Sequence, residues 1–385
     1  MSASVKTRTW AGLRSGIAAS GIVIVLITVG GAHYVAGDPR GASNAPRSLY
    51  IAAKGSDEAP GTVGAPLATL TEAQRRLRSD RPDGNVCIRI APDTFYNQVV
   101  EWTYYVPGHT ITISSWPDTG KSWFIMRHGE SNPDPFFQVR LAPGDSTRIK
   151  FHGLAVRGYN AGAIWLTGDG ERDGGWNGGN IIENCLFDSI GNADRPSATI
   201  CYGIIDFINS RGNTVRNCRL ADSDNSRWSR QPLAPGEFPP QGRTTFYLPI
   251  LGLYLAHGSS ANQIYGNVFW NIIGDGIRIR DRSDRNSIHH NLFEKTGYVA
   301  AVTMWYCDKA YDRCSFPECP SSGNLFFNNT LNGNAFCGKA AAFGDLRSLT
   351  GNACTQQDVP RMSVYDNSLG TCRYHAMPVD TGGIE

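Results

Sequence analysis

The sequence predicts an all-β solenoid, a parallel β-helix in which short strands wind into coils and the coils stack. Three observations predict it. A short asparagine-led frame recurs along the chain. A glycine-led strand precedes several copies at a fixed distance. The composition, with 43 glycines in 385 residues, suits many short strands joined by tight turns.

The frame is clearest at Asn180, with Ile182 two positions on, Asn184 at four and Phe187 at seven. It returns at Asn213 (Val215, Asn217, Leu220), Asn262 (Ile264, Gly266, Phe269), Asn286 (Ile288, His290, Phe293) and Asn324 (Phe326, Asn328, Leu331). Weaker copies begin at Ile149 and Met362. Position five holds Cys185 and Cys218 in two early copies, then Asn267, Asn291, Asn329 and Asn367. The second unit starts at Gly203, Gly252 and Gly276, in each case ten residues before an asparagine of the frame. Each period therefore holds at least two strands and a turn. The period drifts, from 24 residues (Asn262 to Asn286) to 49 (Asn213 to Asn262), so the slack lies in loops.

One coil buries too few side chains to stand alone. Stacking at the ~4.8 Å strand spacing buries a continuous apolar column and piles like on like. A leucine-rich horseshoe would need a steadier period and denser leucine. Because Cys185 and Cys218 share one frame position, they are expected on neighbouring coils, as stacked thiols or as a disulfide.

Formal net charge is +2 and 41% of residues are hydrophobic. This balance points to no nucleic-acid partner. Lys6, Arg8 and Arg14 precede an uncharged stretch from Gly16 to Ala32. It reads as a signal peptide or a membrane anchor over residues 1–36, which places the folded part outside the cytoplasm. That anchor is the one membrane contact expected, and the chain is otherwise expected to be a monomer. Ten cysteines fit an exported chain with disulfides. A zinc site at Cys314 and Cys319 lacks the usual spacing. Residues 37–48 read as a linker, 49–375 as the β-helix and 376–385 as a tail. Apolar residues at 67, 70, 73 and 77 have helical spacing, and Thr69 with Glu72 forms the sequence of a capping box.

Tyr50-Ile51-Ala52-Ala53-Lys54-Gly55-Ser56-Asp57, Pro60-Gly61-Thr62 and Pro66-Leu67-Ala68-Thr69-Leu70 resemble the opening segment of pectate-lyase-like proteins. Ile88 to Tyr96 resembles that superfamily's first coil. The resemblance implies an exported, carbohydrate-active right-handed parallel β-helix with a short N-terminal capping helix. It spans roughly residues 49 to 375 and implies little about activity, since the superfamily holds lyases, hydrolases, epimerases, tailspikes and adhesins. The Asp-Pro-His-Asp signature of mannuronan epimerases and the paired-Asp and Gly-His-Gly pattern of polygalacturonases are absent.

Alternation predicts which side chains leave the barrel on the strands near Ile164, Ile205, Leu253, Ile277 and Val302. One outward row reads Trp165, Asp206, Tyr254, Arg278, Thr303. The next reads Thr167, Ile208, Ala256, Arg280, Trp305, and the strand ends add Asn209, His257, Asp281 and Tyr306. Trp165, Trp305 and Tyr306 are candidates for stacking on sugar rings. Arg278 or Arg280 could neutralise a uronate carboxylate, with His257 or Tyr254 as base or acid. That chemistry is β-elimination, the leading expectation: a polysaccharide lyase acting on a uronate-containing polysaccharide. A glycoside hydrolase would use Asp206 and Asp281 instead, and glycan binding without catalysis is a third reading. The plain alternative is a solvated, cross-paired sheet face. Arg278 is expected to be exposed and dispensable for folding.

Asp169, Glu171 and Asp173 alternate with glycine and arginine in a tight loop, which reads either as a Ca²⁺ site or as an acidic turn. His289 and His290 should diverge as neighbours on a strand and share no ion. Insertions near 222–248 and 305–323 would wall the charged face.

Overall fold

The structure is a computed structural model. It describes residues 46–127, 134–140, 148–168, 177–191, 203–223, 250–297, 301–305, 318–332, 354 and 362–370. The N-terminal apolar stretch lies outside them. Among the described residues no helix is long and apolar enough to cross a membrane.

Every named strand pairs in parallel with the corresponding strand of the next coil, and the strands fall into three long sheets and one small one. The first sheet runs from Arg47–Ile51 to Met362–Tyr365. The second runs from Val100–Trp102 to Val302–Trp305, and the third from Thr94–Tyr96 to Ser368–Leu369. Inward rows are apolar on all three. Ile182, Val215, Ile264, Ile288 and Phe326 stack on the first sheet. Ile164, Ile205, Leu253, Ile277 and Val302 stack on the second. On the third, Phe269 and Phe293 lie 4.6 Å apart with rings nearly parallel. Each such ring removes a full side chain from water, worth about 1.5–3 kcal/mol.

The frame asparagines lie inside the turns and bond from coil to coil. Asn180 donates its backbone N–H to Asn213 Oδ1, Asn213 to Asn262, Asn262 to Asn286 and Asn286 to Asn324, at 2.9–3.0 Å. A second ladder does the same through Asn267, Asn291, Asn329 and Asn367. The left-handed turn residue is a different one, at position four: Asn184, Asn217, His290 and Asn328 have φ between 52° and 55°, and Gly266 has 66°. Asparagine therefore serves twice, as buried ladder and as turn.

The helix Leu70–Asp80 packs against the N-terminal end through Leu70, Ala73, Gln74 and Leu77. Thr69 caps it, its hydroxyl accepting from Glu72 N–H. The reciprocal half of the box is not made by Glu72. Asp57 takes the Thr69 N–H at 2.9 Å, and Glu72 bonds Arg75 and Arg76. Asp57 comes from the opening segment, so tertiary contact replaces the local bond.

Removing one ladder amide strands its neighbour. Asn286→Ala leaves the Asn262 backbone N–H and side-chain N–H without their acceptor. Each such buried orphan costs about 1–3 kcal/mol. Urea unfolding should show a loss of at least about 2 kcal/mol, while Gln263→Ala on the exposed face should stay within about 0.5 kcal/mol.

Candidate functional site

The second sheet places the expected outward rows in register. Trp165, Asp206, Tyr254, Arg278 and Thr303 are successive partners, and Arg280 pairs with Trp305 one row on. Asn209, His257 and Asp281 then end their strands in left-handed geometry, with φ of 50°, 53° and 47°. Three consecutive coils hold a left-handed residue here, a conformation that glycine would adopt freely. This chain places a histidine and an aspartate on adjacent rungs instead.

An imidazole and a guanidinium, both partly exposed, stand on two buried carboxylates. His257 Nδ1 meets Asp281 Oδ2 at 2.9 Å, and Asp281 Oδ1 accepts the Cys319 backbone N–H. Arg280 donates from Nε to Glu318 Oε2 at 2.6 Å and from Nη1 to the Tyr254 hydroxyl at 3.1 Å. The side chains of Asp281 and Glu318 are 0% and 2% exposed, those of His257 and Arg280 23% and 26%. Burial acts to lower the Arg280 pKa, but Tyr254 and Glu318 outweigh it and raise it, so the guanidinium stays charged. Burial pushes the Tyr254 hydroxyl up to about 12, so it keeps its proton at neutral pH.

Glu318 is the site residue that the sequence alone did not reveal. It lies within the 305–323 insertion, 38 residues from Arg280. Its signal was the adjacent Cys319, which is disulfide-bonded to Cys354. His257, Asp281 and Glu318 each offer an atom within 4.8 Å of the others, which could hold a metal ion. Arg280 bonds one of those carboxylates and His257 the other.

Arg278 requires a correction. It is not a solvent-facing charge: its side chain is 8% exposed and donates to Asp275 Oδ2 at 2.7 Å. Thr303 donates to the same oxygen. Asp275 sits three residues earlier, just before the Ile277–Arg280 strand, so the charge is buried with its partner rather than turned outward. Tyr254 and Asp206 also leave the sheet yet are only 4% and 1% exposed. Asp206 Oδ1 and Trp165 Nε1 are buried without a hydrogen-bond partner on adjacent rungs. Burial raises the Asp206 pKa well above the usual carboxylate range. Asp206 lies two coils and three residues from Asp281, so the register does not set these two carboxylates across one bond.

The Trp305 side chain, Tyr306, and the Asp169, Glu171 and Asp173 loop lie outside the described residues. So do most of both insertions. His289 and His290 do not diverge: their Nδ1 atoms are 2.8 Å apart, because the left-handed turn at His290 folds its ring back.

The family described as the right-handed β-helix region matches residues 142–353, more than half of the chain. This chain is a right-handed β-helix protein. No curated protein matches it in sequence. The β-helix is similar to that of an alginate lyase from Paenibacillus sp. str. FPU-7, at 13% identity over 86% of this chain and 98% of that one, with a TM-score of 0.49. The pectate lyase Pel9A gives 14% identity, 88% and 81% coverage and a TM-score of 0.46. A tailspike protein of E. coli bacteriophage HK620 in complex with a pentasaccharide gives 13%, 84%, 57% and 0.43. At such identity the likeness is one of fold and says nothing of what this β-helix protein acts on.

A separate polar cluster lies on the first sheet. Glu183 accepts from Lys150 at 2.6 Å, from Arg216 Nε at 2.8 Å, and meets His152 Nδ1 at 2.9 Å. Beyond Arg216, the rings of Tyr265, His289, Phe327 and Tyr365 stack face to face at 4.9–5.1 Å. Their faces cover one another, which leaves mainly edges for any ligand and argues for a structural strip.

Two outcomes test these assignments. Arg278→Ala should cost about 3–5 kcal/mol by leaving Asp275 buried without its cation, and adding Asp275→Ala should recover much of that in denaturant unfolding. For Glu183, burial acts to raise the pKa, but its bonds outweigh this and hold it at about 2 against 4.5. A depressed folded pKa gives stability that is present above the unfolded value and lost below it. The stability gap between wild type and Glu183→Gln should hold above pH 4.5 and close as pH falls toward 2.

Proposed function

We propose that this protein is exported and cleaves a uronate-containing polysaccharide by β-elimination at the His257–Arg280 face. One observation carries the reading. Arg280 and His257 reach solvent from adjacent rungs while the buried groups behind them hold each in place. Asp281 fixes His257 through Nδ1, which turns Nε2 to the opposite edge of the ring. Glu318 and Tyr254 fix Arg280 through Nε and Nη1, which leaves Nη2 for a ligand carboxylate.

Elimination needs those functions. A guanidinium pairs with the uronate carboxylate and lowers the cost of charge developing at C5. His257 Nε2 takes the C5 proton. The C4–O bond then breaks, and the leaving oxygen needs a proton. Tyr254, protonated and bonded to Arg280, is the nearby donor.

Hydrolysis fits less well. It needs two carboxylates flanking one bond. Asp281 and Glu318 are both buried and committed to His257 and Arg280. Asp206 would hold a proton, but its partners on adjacent rungs are Trp165 and Tyr254, not a second carboxylate. The apolar leader supports an extracytoplasmic polysaccharide as partner, and Asp169, Glu171 and Asp173 would offer carboxylates to a Ca²⁺ ion.

A panel of uronate and neutral polysaccharides tests the function. Ultraviolet absorbance of the unsaturated product should rise together with new reducing ends on a uronate substrate. His257→Ala and Arg280→Ala should each lower the rate at least about 100-fold, with the circular dichroism unchanged. Arg280→Lys should recover little, because an ammonium lacks the planar fork. Reducing ends without absorbance would replace the lyase with a hydrolase. Full activity in both variants would move the site elsewhere.

A further inference from the structure

The asparagine ladder at frame position five changes chemistry at its N-terminal end. Asn267, Asn291, Asn329 and Asn367 occupy four coils, and each oxygen accepts the N–H of the coil before. Cys218 joins the same ladder, donating its N–H to Asn267 Oδ1 at 2.9 Å. The coil before Cys218 has Cys185 at that position. The pairs Glu183 with Arg216 and Leu186 with Arg219 flank the two cysteines, so they face each other in register.

Both side chains are buried and 2% exposed. Neither is in a disulfide in this structure. Their remaining bonds are weak. Cys185 Sγ donates to Glu183 O at 3.3 Å, and Cys218 Sγ to Arg216 O at 3.3 Å. As ladder members they do less than asparagine, which supplies a strong acceptor and two donors. Cysteine on two consecutive rungs is therefore poorly explained by hydrogen bonding. A covalent link explains it, since one strand spacing of ~4.8 Å lies within the range of about 4.4–6.8 Å that a disulfide spans between Cα atoms.

We propose that Cys185 and Cys218 form a disulfide that rivets two adjacent coils once the chain meets an oxidising environment. The link would close the stretch that contains the Gly203–Ile208 strand and Asp206, at one flank of the candidate site. The oxidant is a small-molecule or protein disulfide. The Cys185 thiolate attacks one of its sulfurs and releases a first thiol. The Cys218 thiolate then attacks Cys185 Sγ and releases the second. The S–S bond forms, the oxidant's disulfide is reduced, and the two cysteine protons end on its two thiols. Either sulfur can attack first; in the finished coil the two thiols differ. Burial acts to raise the Cys185 pKa, but the Cys218 S–H, the backbone N–H groups of Leu154 and Gly153 and the charge of Lys121 lower it overall. Burial and the neighbouring Cys185 sulfur hold Cys218 well above the usual thiol range. Access requires that the bond close while the coil is assembling, before both sulfurs are sealed.

The test uses the full chain, unfolded and refolded in a glutathione redox buffer, then alkylated and digested without reduction. Cleavage after Arg211 and Arg216 separates the two cysteines, and fragment ions of the longer peptide tell Cys185 from Cys201, which shares it. One linked peptide pair containing Cys185 and Cys218, lighter by two hydrogens than the separate thiol peptides, is the expected result. It should vanish after reduction. In Cys218→Ser, Cys185 should become fully alkylatable on unfolding. Alkylation of both cysteines as free thiols in the refolded wild type, or linkage of either one to another cysteine, would overturn the proposal. This experiment involves no polysaccharide, so its result is independent of the enzymatic reading.

Discussion

One bond repeats through this protein and sets the position of everything else. The side-chain oxygen of a buried asparagine accepts the backbone N–H of the asparagine one coil earlier, from Asn180 through Asn324. The same asparagine's N–H is satisfied by the next coil. A buried amide with no such partner costs more than the bond is worth when made. Slipping one coil by a residue would break the bonds above and below it and turn an apolar row outward. The ladder therefore fixes register, and it tolerates loops of very different length: the rungs are 24 residues apart at one step and 49 at another.

Fixed register is what assembles the site. Tyr254, Arg280 and Glu318 are far apart in the chain but meet because their coils are neighbours. The arrangement sorts charge by depth. Asp275 with Arg278, and Asp281 and Glu318, are buried and paired, which keeps each from being an uncompensated interior charge. His257 and Arg280 stand above them, partly in solvent. Pre-set side chains of this kind lose little freedom when a ligand arrives. The same sheet also carries an unsettled pair, Trp165 Nε1 and Asp206 Oδ1, buried without partners.

Much of this was legible in the sequence because the repeat reports register directly. The row Trp165, Asp206, Tyr254, Arg278, Thr303 follows from alternation and from the ten-residue offset between glycine and asparagine, and the strands pair accordingly. Depth was less legible. Alternation says which way a side chain leaves a strand, not what lies above it, so Arg278 read as exposed. Its partner Asp275 was visible three residues away, but a pair between a strand and the turn before it cannot be told from two independent charges without knowing the burial. Glu318 was hidden for another reason: it lies within the 305–323 insertion, with no repeat frame to place it. The capping box at Thr69 shows the same limit, since Asp57 displaces the local partner through a contact between segments.

The most direct test is a crystal structure of the His257→Ala variant with a bound oligouronate. A sugar carboxylate seated on the Arg280 guanidinium, with C5 facing the space vacated by the imidazole, is the expected result. An oligouronate bound on another face, or a carboxylate held away from Arg280 with C5 turned from position 257, would contradict it.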